Sequence, residues 1–292
     1  KALLTKPDII EGAGFFGYIP AYFASFINRS KRTILIADTV ESYVTDVSPV
    51  IKFLLSFIER FIFFLTWDAY ICISHTVAKK IFQEHKENKK IHIVYCGVDS
   101  NLVEKVKTKK TPQKTIICVN RLVSYKRVND VIAAFSIIRK KIPDVKLRIV
   151  GIGEELKSLK IQARTLDVHS AVEFCGFIPD HQKVLSLIAS SHVFCSASLV
   201  EGFGIAPVES LAVGTPVVLS DIPVHKEVTE KGGAVYFKQM DVEDCAKKIL
   251  EILSNSKNYL KLQKMGYSHA SHYTWDVMSA KTEKIYESLY SN

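Results

Sequence analysis

Apolar residues along this chain gather into short runs separated by longer stretches in which they recur at helical spacing. Thr115–Val119 (TIICV), Lys146–Val150 (KLRIV), residues 193–195 and residues 216–219 are β-branched and almost continuously apolar, as strands buried on both faces require. With residues 171–174 and Val235–Phe237 they form a series of strands, and residues 128–142, 154–166, 182–190 and 207–213 between them read as helices. Two terminal helices are predicted over residues 242–253 and 276–290. The first part has the same rhythm. Strands at residues 9–10, 33–37, 69–74 and 91–95 alternate with helices near residues 19–27, 50–65 and 77–85. Alternation of strand and helix implies parallel sheets and an α/β class.

The polar stretch 103–114, with five lysines and a proline, reads as a linker. The predicted domains are therefore 1–110, 111–270 and a last helical segment, 271–292. In open α/β sheets, ligands lie outside the carboxyl ends of the strands. That rule selects the loops 120–126, 151–155, 176–180, 196–206 and 220–223, which are expected to open on one crevice facing the other domain.

Composition narrows the class. At 292 residues, 48% hydrophobic and 24% charged, the chain suits a packed two-domain enzyme rather than a disordered segment. The six cysteines show no CxxC and no histidine at metal spacing, which fits small buried side chains in a reducing cytosol and not a zinc site. The net charge of +9 reads first as solvated lysines and second as attraction to an anionic membrane surface or acidic ligand. Nucleic acid is not expected, since no aromatic-interleaved basic stripe or helix-turn-helix pattern occurs. Residues 50–65 are very apolar, but Lys52, Glu59 and Arg60 interrupt them, so a core helix is expected, with interfacial membrane contact the second reading. No signal peptide is visible, and the chain begins at Lys1 close to a strand, which suggests that an N-terminal portion precedes it.

The densest chemistry lies in EGFGIAPVE, from Glu201 to Glu209. Gly202, Phe203, Gly204 and Ile205 lead into a helix with Pro207 in its first turn, and Gly214 suits its end. Free amides at such an N-terminus favour phosphate or sugar oxygens; the plain alternative is a glycine-rich turn with a solvated Glu. Were the stretch all helical, eight residues would separate Glu201 and Glu209 by about 12 Å, beyond the spacing of a glycosidase pair, so they read as separate ligand contacts. Arg121 and Lys126, after the strand Thr115–Val119, would neutralise a diphosphate. Gly151 and Gly153 also follow a strand, but Leu156 stands where the dinucleotide fingerprint needs a third glycine. NAD and a Walker A phosphate loop are therefore set aside.

In order along the chain, NRLVSYKR (Asn120 to Arg127), KLRIVGIGEE (Lys146 to Glu155), VEFCGFIP (Val172 to Pro179), SASLVEGFGIAPVESLAVGTPVVLSD (Ser196 to Asp221) and YTWD (Tyr273 to Asp276) resemble the donor domain of retaining glycosyltransferases of family 4. KPDIIEG (Lys6 to Gly12), ICIS (Ile71 to Ser74) and KIHIVYCGVD (Lys90 to Asp99) are similar, less sharply, to that family's acceptor domain. The resemblance implies a GT-B fold of two facing Rossmann-like, doubly wound domains, with the opening strand and glycine-rich loop of the first preceding Lys1. It also implies that the last helix crosses back to the first domain.

Carried across by resemblance, Arg121 and Lys126 hold the donor diphosphate and Glu209 bonds the ribose. Glu201 and the amides of Gly202, Phe203, Gly204 and Ile205 meet the sugar and phosphates, while Gly153, Phe177 and Ile178 border the base. Catalysis falls to Arg121, Lys126 and Glu201. The implied reaction moves a hexose-type sugar from a nucleoside diphosphate sugar to a glycan, lipid-linked or small-molecule hydroxyl, with retention, no metal and no further cofactor. The implied place is the cytoplasm, with peripheral contact at the membrane's cytoplasmic face as a second option. Three positions depart from the family. Asn120 replaces a usual Gly, Cys96 a common Asn, and ADTVE, with Asp38, stands where many members carry a His. A catalytically silent module that keeps the nucleotide-sugar pocket is the rival reading.

Overall fold

The computed structural model describes residues 6–38, 48–82 and 90–291. They fall into two compact units: Lys1–Gly97 with Glu201–Phe203 and Asp276–Asn292, and Val98–Val200 with Gly204–Trp275.

In the first unit four parallel strands lie side by side in chain order: β1 (Ile9–Ala13), β2 (Lys31–Ile36), β3 (Ala69–Cys72) and β4 (Ile91–Ile93). Helices α1 (Phe15–Asn28), α2 (Pro49–Phe64) and α3 (His75–Phe82) connect them, and the predicted end of α3 at His85 lies outside the described residues. β3 is buried along its length, and Ala69 and Ile71 pack with Val94 and with Ile285 of helix α12 (Trp275–Tyr290). Tyr286 of the same helix donates to Glu11 Oε2 at 2.7 Å. α2 starts where its pattern suggests, with Ser48 accepting from the Ile51 amide and Pro49 in the first turn.

Its burial corrects an expectation. Residues 50–65 are not a core helix: α2 buries Glu59 and Ile62 and turns Phe53, Phe57, Phe61 and Phe64 outward. Nearly every position there is apolar, so the sequence pattern does not identify the inward face.

The second unit is a six-stranded parallel sheet, in the order β10-β9-β8-β5-β6-β7. Its strands are β5 (Thr115–Val119), β6 (Lys146–Val150), β7 (Val172–Gly176), β8 (Val193–Ser196), β9 (Val217–Ser220) and β10 (Val235–Phe237). The chain winds outward from β5 to β7, returns to place β8 beside β5, and winds the other way. This is the doubly wound order, with its switch point between β5 and β8.

Adjacent residues of β5 point to opposite faces. Ile116 packs with Phe135 of α5 (Val128–Lys141) and Ile249 of α10 (Val242–Ser254). Ile117 packs with Leu185 of α7 (His181–Ser190) and Leu211 of α8 (Ile205–Ala212). Helices α4 (Ser100–Glu104), α6 (Leu156–Thr165), α9 (Pro223–Thr229) and α11 (Ser256–Ala270) complete the unit. α11 has no counterpart in the sequence pattern.

The stretch 103–114 is seated on this unit. Val103 and Val106 pack against the second core, and the Lys110 amine donates to Thr215 Oγ1 at 2.9 Å. Burial pushes that amine down to about 8. The boundary between units accordingly falls at Gly97/Val98, ahead of residue 110.

Candidate functional site

The loop after β5 is built around a turn of 3₁₀ helix at Ser124–Lys126. Arg127, in the left-handed region at φ 50°, ends that turn and forks onto Asp130 of α5 at 2.9 and 2.8 Å. Lys126 is thereby turned inward, 8% exposed, at the carboxyl end of the central strand. Its neighbour Arg121 is exposed and donates to the Tyr125 hydroxyl. Both cations lie over the Tyr125 ring, the guanidinium 5.9 Å and the ammonium 5.4 Å from its centroid. Two sequence-predicted residues are thus gathered around one aromatic side chain. The Lys126 charge favours the Cys118 thiolate, but burial outweighs it and pushes that thiol up to about 11.

The loop after β8 leads into α8, and the two loops are joined across the switch point: the Leu199 amide donates to the Tyr125 carbonyl at 2.9 Å. Gly204 caps α8 at φ 84°, a conformation that suits glycine, and no side chain caps the helix. Pro207, in the first turn, has no N–H to satisfy. Ile205, at its start, is part exposed, whereas Glu209, one turn on, is 6% exposed. The Glu209 carboxylate meets His181 Nε2 at 2.7 Å. That hydrogen bond raises the His181 pKa above its ordinary value against an opposing effect of burial, helped by the charges of Glu209, Asp99 and Asp180.

His181 was not a sequence candidate. It follows Asp180, whose side chain accepts from the Gln182 and Lys183 amides at the start of α7, but a single His at a helix start carries no periodic signal.

Glu201, Gly202 and Phe203 belong to the first unit, unlike Gly204, Ile205 and Glu209. The Gly202 carbonyl accepts from Ser74 Oγ at 2.7 Å, and the Phe203 ring lies 5.9 Å from Tyr95. A Cβ at Gly202 would stand 2.0 Å from the Ala37 carbonyl oxygen, so glycine is required there by close approach. Asp38, in the place of the family His, is buried and pairs with Lys80 at 3.1 Å; Thr39, Val40 and Glu41 of ADTVE lie outside the described residues.

The loop after β6 lies against the loop after β5, backbone to backbone. The Leu122 amide donates to Ile152 O at 2.9 Å and the Glu155 amide to Leu122 O at 3.0 Å. Gly153 permits this, since a Cβ there would be 2.2 Å from Leu122 O. After β7, Phe177 is exposed and Ile178 packs inward on the second core. Among the described residues no cluster of three His, Cys, Asp or Glu side chains could hold a metal ion.

Residues 99–269 match the family described as glycosyl transferases group 1. A Haemophilus influenzae protein described as an uncharacterized glycosyltransferase is 31% identical over 65% of this chain and 53% of its own. The alpha-monoglucosyldiacylglycerol synthase of Streptococcus pneumoniae is 29% identical over 64% and 44%, and a phosphatidyl-myo-inositol mannosyltransferase of Mycolicibacterium smegmatis 32% over 54% and 40%. The chain thus spans about half or less of the length of these relatives. Among solved structures, Anabaena HepE in complex with UDP and glucose has a TM-score of 0.81 at 19% identity, covering 100% of this chain and 80% of its own. Sucrose-phosphate synthase from Thermosynechococcus elongatus gives 0.81 at 17%, covering 97% and 74%. The fold is therefore GT-B, an α/β architecture with a four-stranded and a six-stranded parallel unit.

Proposed function

From the premise that this chain belongs to the glycosyl transferases group 1 family, we propose that it transfers a hexose-type sugar from a nucleoside diphosphate sugar to an acceptor hydroxyl with retention. One observation carries the reading: Arg121 and Lys126 sit on one side of the switch point, joined by the Leu199–Tyr125 bond to the loop that leads into the uncapped N-terminus of α8. A leaving diphosphate gains charge as the glycosidic bond breaks. Preorganised cations and the amides of a helix N-terminus stabilise that charge more than they stabilise the intact donor, which lowers the barrier. The two side-chain cations supply the charge that a divalent ion supplies elsewhere, so no metal and no further cofactor enters.

Glu209 accepts from the ribose hydroxyls. Gly153, Phe177 and Ile178 border the base, with the exposed Phe177 ring available for stacking. Glu201 and the amides from Gly202 to Ile205 meet the sugar and phosphates, and the departing phosphate takes the acceptor's proton. Uridine is the first base to test, because HepE was solved with UDP. Two relatives named for lipid products or acceptors support a lipid-linked hydroxyl, used in the cytoplasm or at the membrane's cytoplasmic face.

The test is release of nucleoside diphosphate and transfer of label from a panel of uridine, guanosine and adenosine diphosphate sugars. Lys126→Ala is expected to lower turnover about 100-fold while neutral nucleoside binding stays unchanged. An unaltered rate removes Lys126 from the chemistry. Tight donor binding with no turnover from any donor favours the silent binding module.

A further inference from the structure

α8 buries Pro207, Val208, Glu209, Ser210 and Leu211 in one continuous run, so a carboxylate is held in a row that is otherwise uncharged. A charge so placed is costly unless a partner is supplied. The partner comes from the first residue of α7, where His181 Nε2 lies 2.7 Å from Glu209 Oε1. An ionised carboxylate can only accept, so Nε2 carries the hydrogen and donates. The two carboxylate oxygens are then unlike. Oε1 is taken by the imidazole. Among the described residues Oε2 has no hydrogen-bond partner, yet it is not one of the buried atoms stranded without one, so it keeps a face open to solvent. A carboxylate offers about four acceptor positions, which leaves Oε2 able to take hydroxyl donors from a ligand.

His181 is itself well aimed. Asp180, just before it, accepts from the Gln182 and Lys183 amides and fixes the start of α7, and the imidazole is a rigid ring on a short stem. A Glu side chain has more torsions to order, and a contact made during folding spares a ligand that ordering cost. The charged groups facing the ring are Glu209 from α8, Asp99 from the start of α4 and Asp180 beside it, all acidic. The hydrogen bond to Glu209 raises the His181 pKa, burial opposes it, and the charges of Glu209, Asp99 and Asp180 add to the rise. The ring therefore stays a donor to Oε1 while half of its side chain, 49%, remains exposed at the edge of the loop that carries Phe177 and Ile178.

We propose that His181 is a positioning residue of the nucleotide site, pinning one Glu209 oxygen so that the other is aimed at the ribose hydroxyls of the donor. The ribose is taken from the glycosyltransferase reading; the pinned carboxylate is not.

Calorimetric titration with uridine diphosphate and its 2′,3′-dideoxy form tests this, with guanosine and adenosine diphosphates as the probes if uridine diphosphate does not bind. His181→Phe keeps a ring but has no donor. It should weaken the normal nucleotide about 5- to 10-fold and leave the dideoxy form unchanged. His181→Gln, whose side-chain amide reaches about as far as Nε2 and donates from there, should restore wild-type affinity. Added to Glu209→Gln, His181→Phe should weaken binding no further, because the group it aims is gone. A pair that only staples α7 to α8 predicts a different pattern, a lower Tm in His181→Phe with equal loss for both nucleotides. That pattern, unchanged affinity in His181→Phe, or losses that add in the double variant would each overturn the positioning role and leave the nucleotide reading standing. Failure of the wild type to bind any of the three nucleotides overturns both.

Discussion

Glu209 is the residue at which a structural and a functional account diverge most clearly. The carboxylate of this fifth residue of α8 already meets His181 Nε2 at 2.7 Å whether or not a ligand is present. If it also accepts from a ribose, Glu209→Gln keeps size but loses charge and one acceptor, and nucleoside diphosphate affinity should fall about 10- to 150-fold while Tm falls only by what loss of the His181 pair costs. Calorimetric titration with the normal and 2′,3′-dideoxy nucleotides checks this, and equal affinity of both proteins for the normal nucleotide removes Glu209 from the site. The His181 contact adds a pH dependence. Its folded pKa is raised by the hydrogen bond to Glu209, so the pair stabilises the fold fully below the unfolded value of about 6.5 and loses that contribution as pH rises through the folded value. The His181 side chain is 49% exposed, and a solvent-screened pair contributes about 0.2 to 1 kcal/mol. Denaturant melts of wild type and His181→Gln should therefore differ at pH 6 and converge well above neutrality; a constant gap would point to packing instead. Glu209 was singled out because the run Glu201 to Glu209 resembles the family's paired-glutamate signature. His181 was not, because its meaning arises only when α7 and α8 are side by side.

At the scale of elements, the strands of the second unit were the most legible part of the chain. Both faces of that sheet are covered, so its strands are mostly apolar, and Thr115–Val119, Lys146–Val150 and Val235–Phe237 fall where the pattern placed them, Arg148 reaching Glu173 at 3.1 Å. α11 escaped notice because it is polar overall and buries only Leu262, Gly266 and Ala270, a narrow seam whose middle residue is a glycine. A Cβ at Gly266 would come 3.0 Å from Leu211, so the residue that weakens the helical pattern is the one that lets α11 approach α8. α2 was misread for the opposite reason, since abundance of apolar residues is not evidence of burial. The loops after β5 and β6 support a sharper prediction. Gly153→Ala forces a Cβ onto the Leu122 carbonyl and should cost about 1 to 3 kcal/mol, as overpacking does, with loss of the two backbone bonds between these loops. Gly17→Ala, in α1 with nothing within 4 Å of the new atom, should instead stabilise by about 0.5 to 1 kcal/mol. Thermal melts of the two variants should move in opposite directions, and a harmless Gly153→Ala would mean that the loops are not locked together.

Over the whole molecule, the two units differ in how they are made from the chain. The second is drawn almost entirely from one continuous stretch, Val98 to Trp275, whereas the first combines Lys1–Gly97 with the far end of the sequence. Alternation of strands and helices showed two parallel sheets, but residues 103–114 looked like a linker because lysines and a proline dominate them. Their few apolar side chains, Val103 and Val106, and the buried Lys110 seat the stretch on the second unit. The closing of the first unit by α12 has a consequence for synthesis on the ribosome. Domains generally fold as units while the chain emerges at about 5 to 20 residues per second. Here the first unit emerges early, yet Ile285, which packs with Ala69, Ile71 and Val94, and Tyr286, which bonds Glu11, emerge after the whole of the second unit. The order of completion is therefore reversed, and the early strands must wait for the last helix. Ribosome-bound chains extended by an inert tail but lacking residues 276–292 should show a protease-resistant second unit and a digested first unit. Equal resistance of both would show that the four-stranded sheet holds together without its final helix.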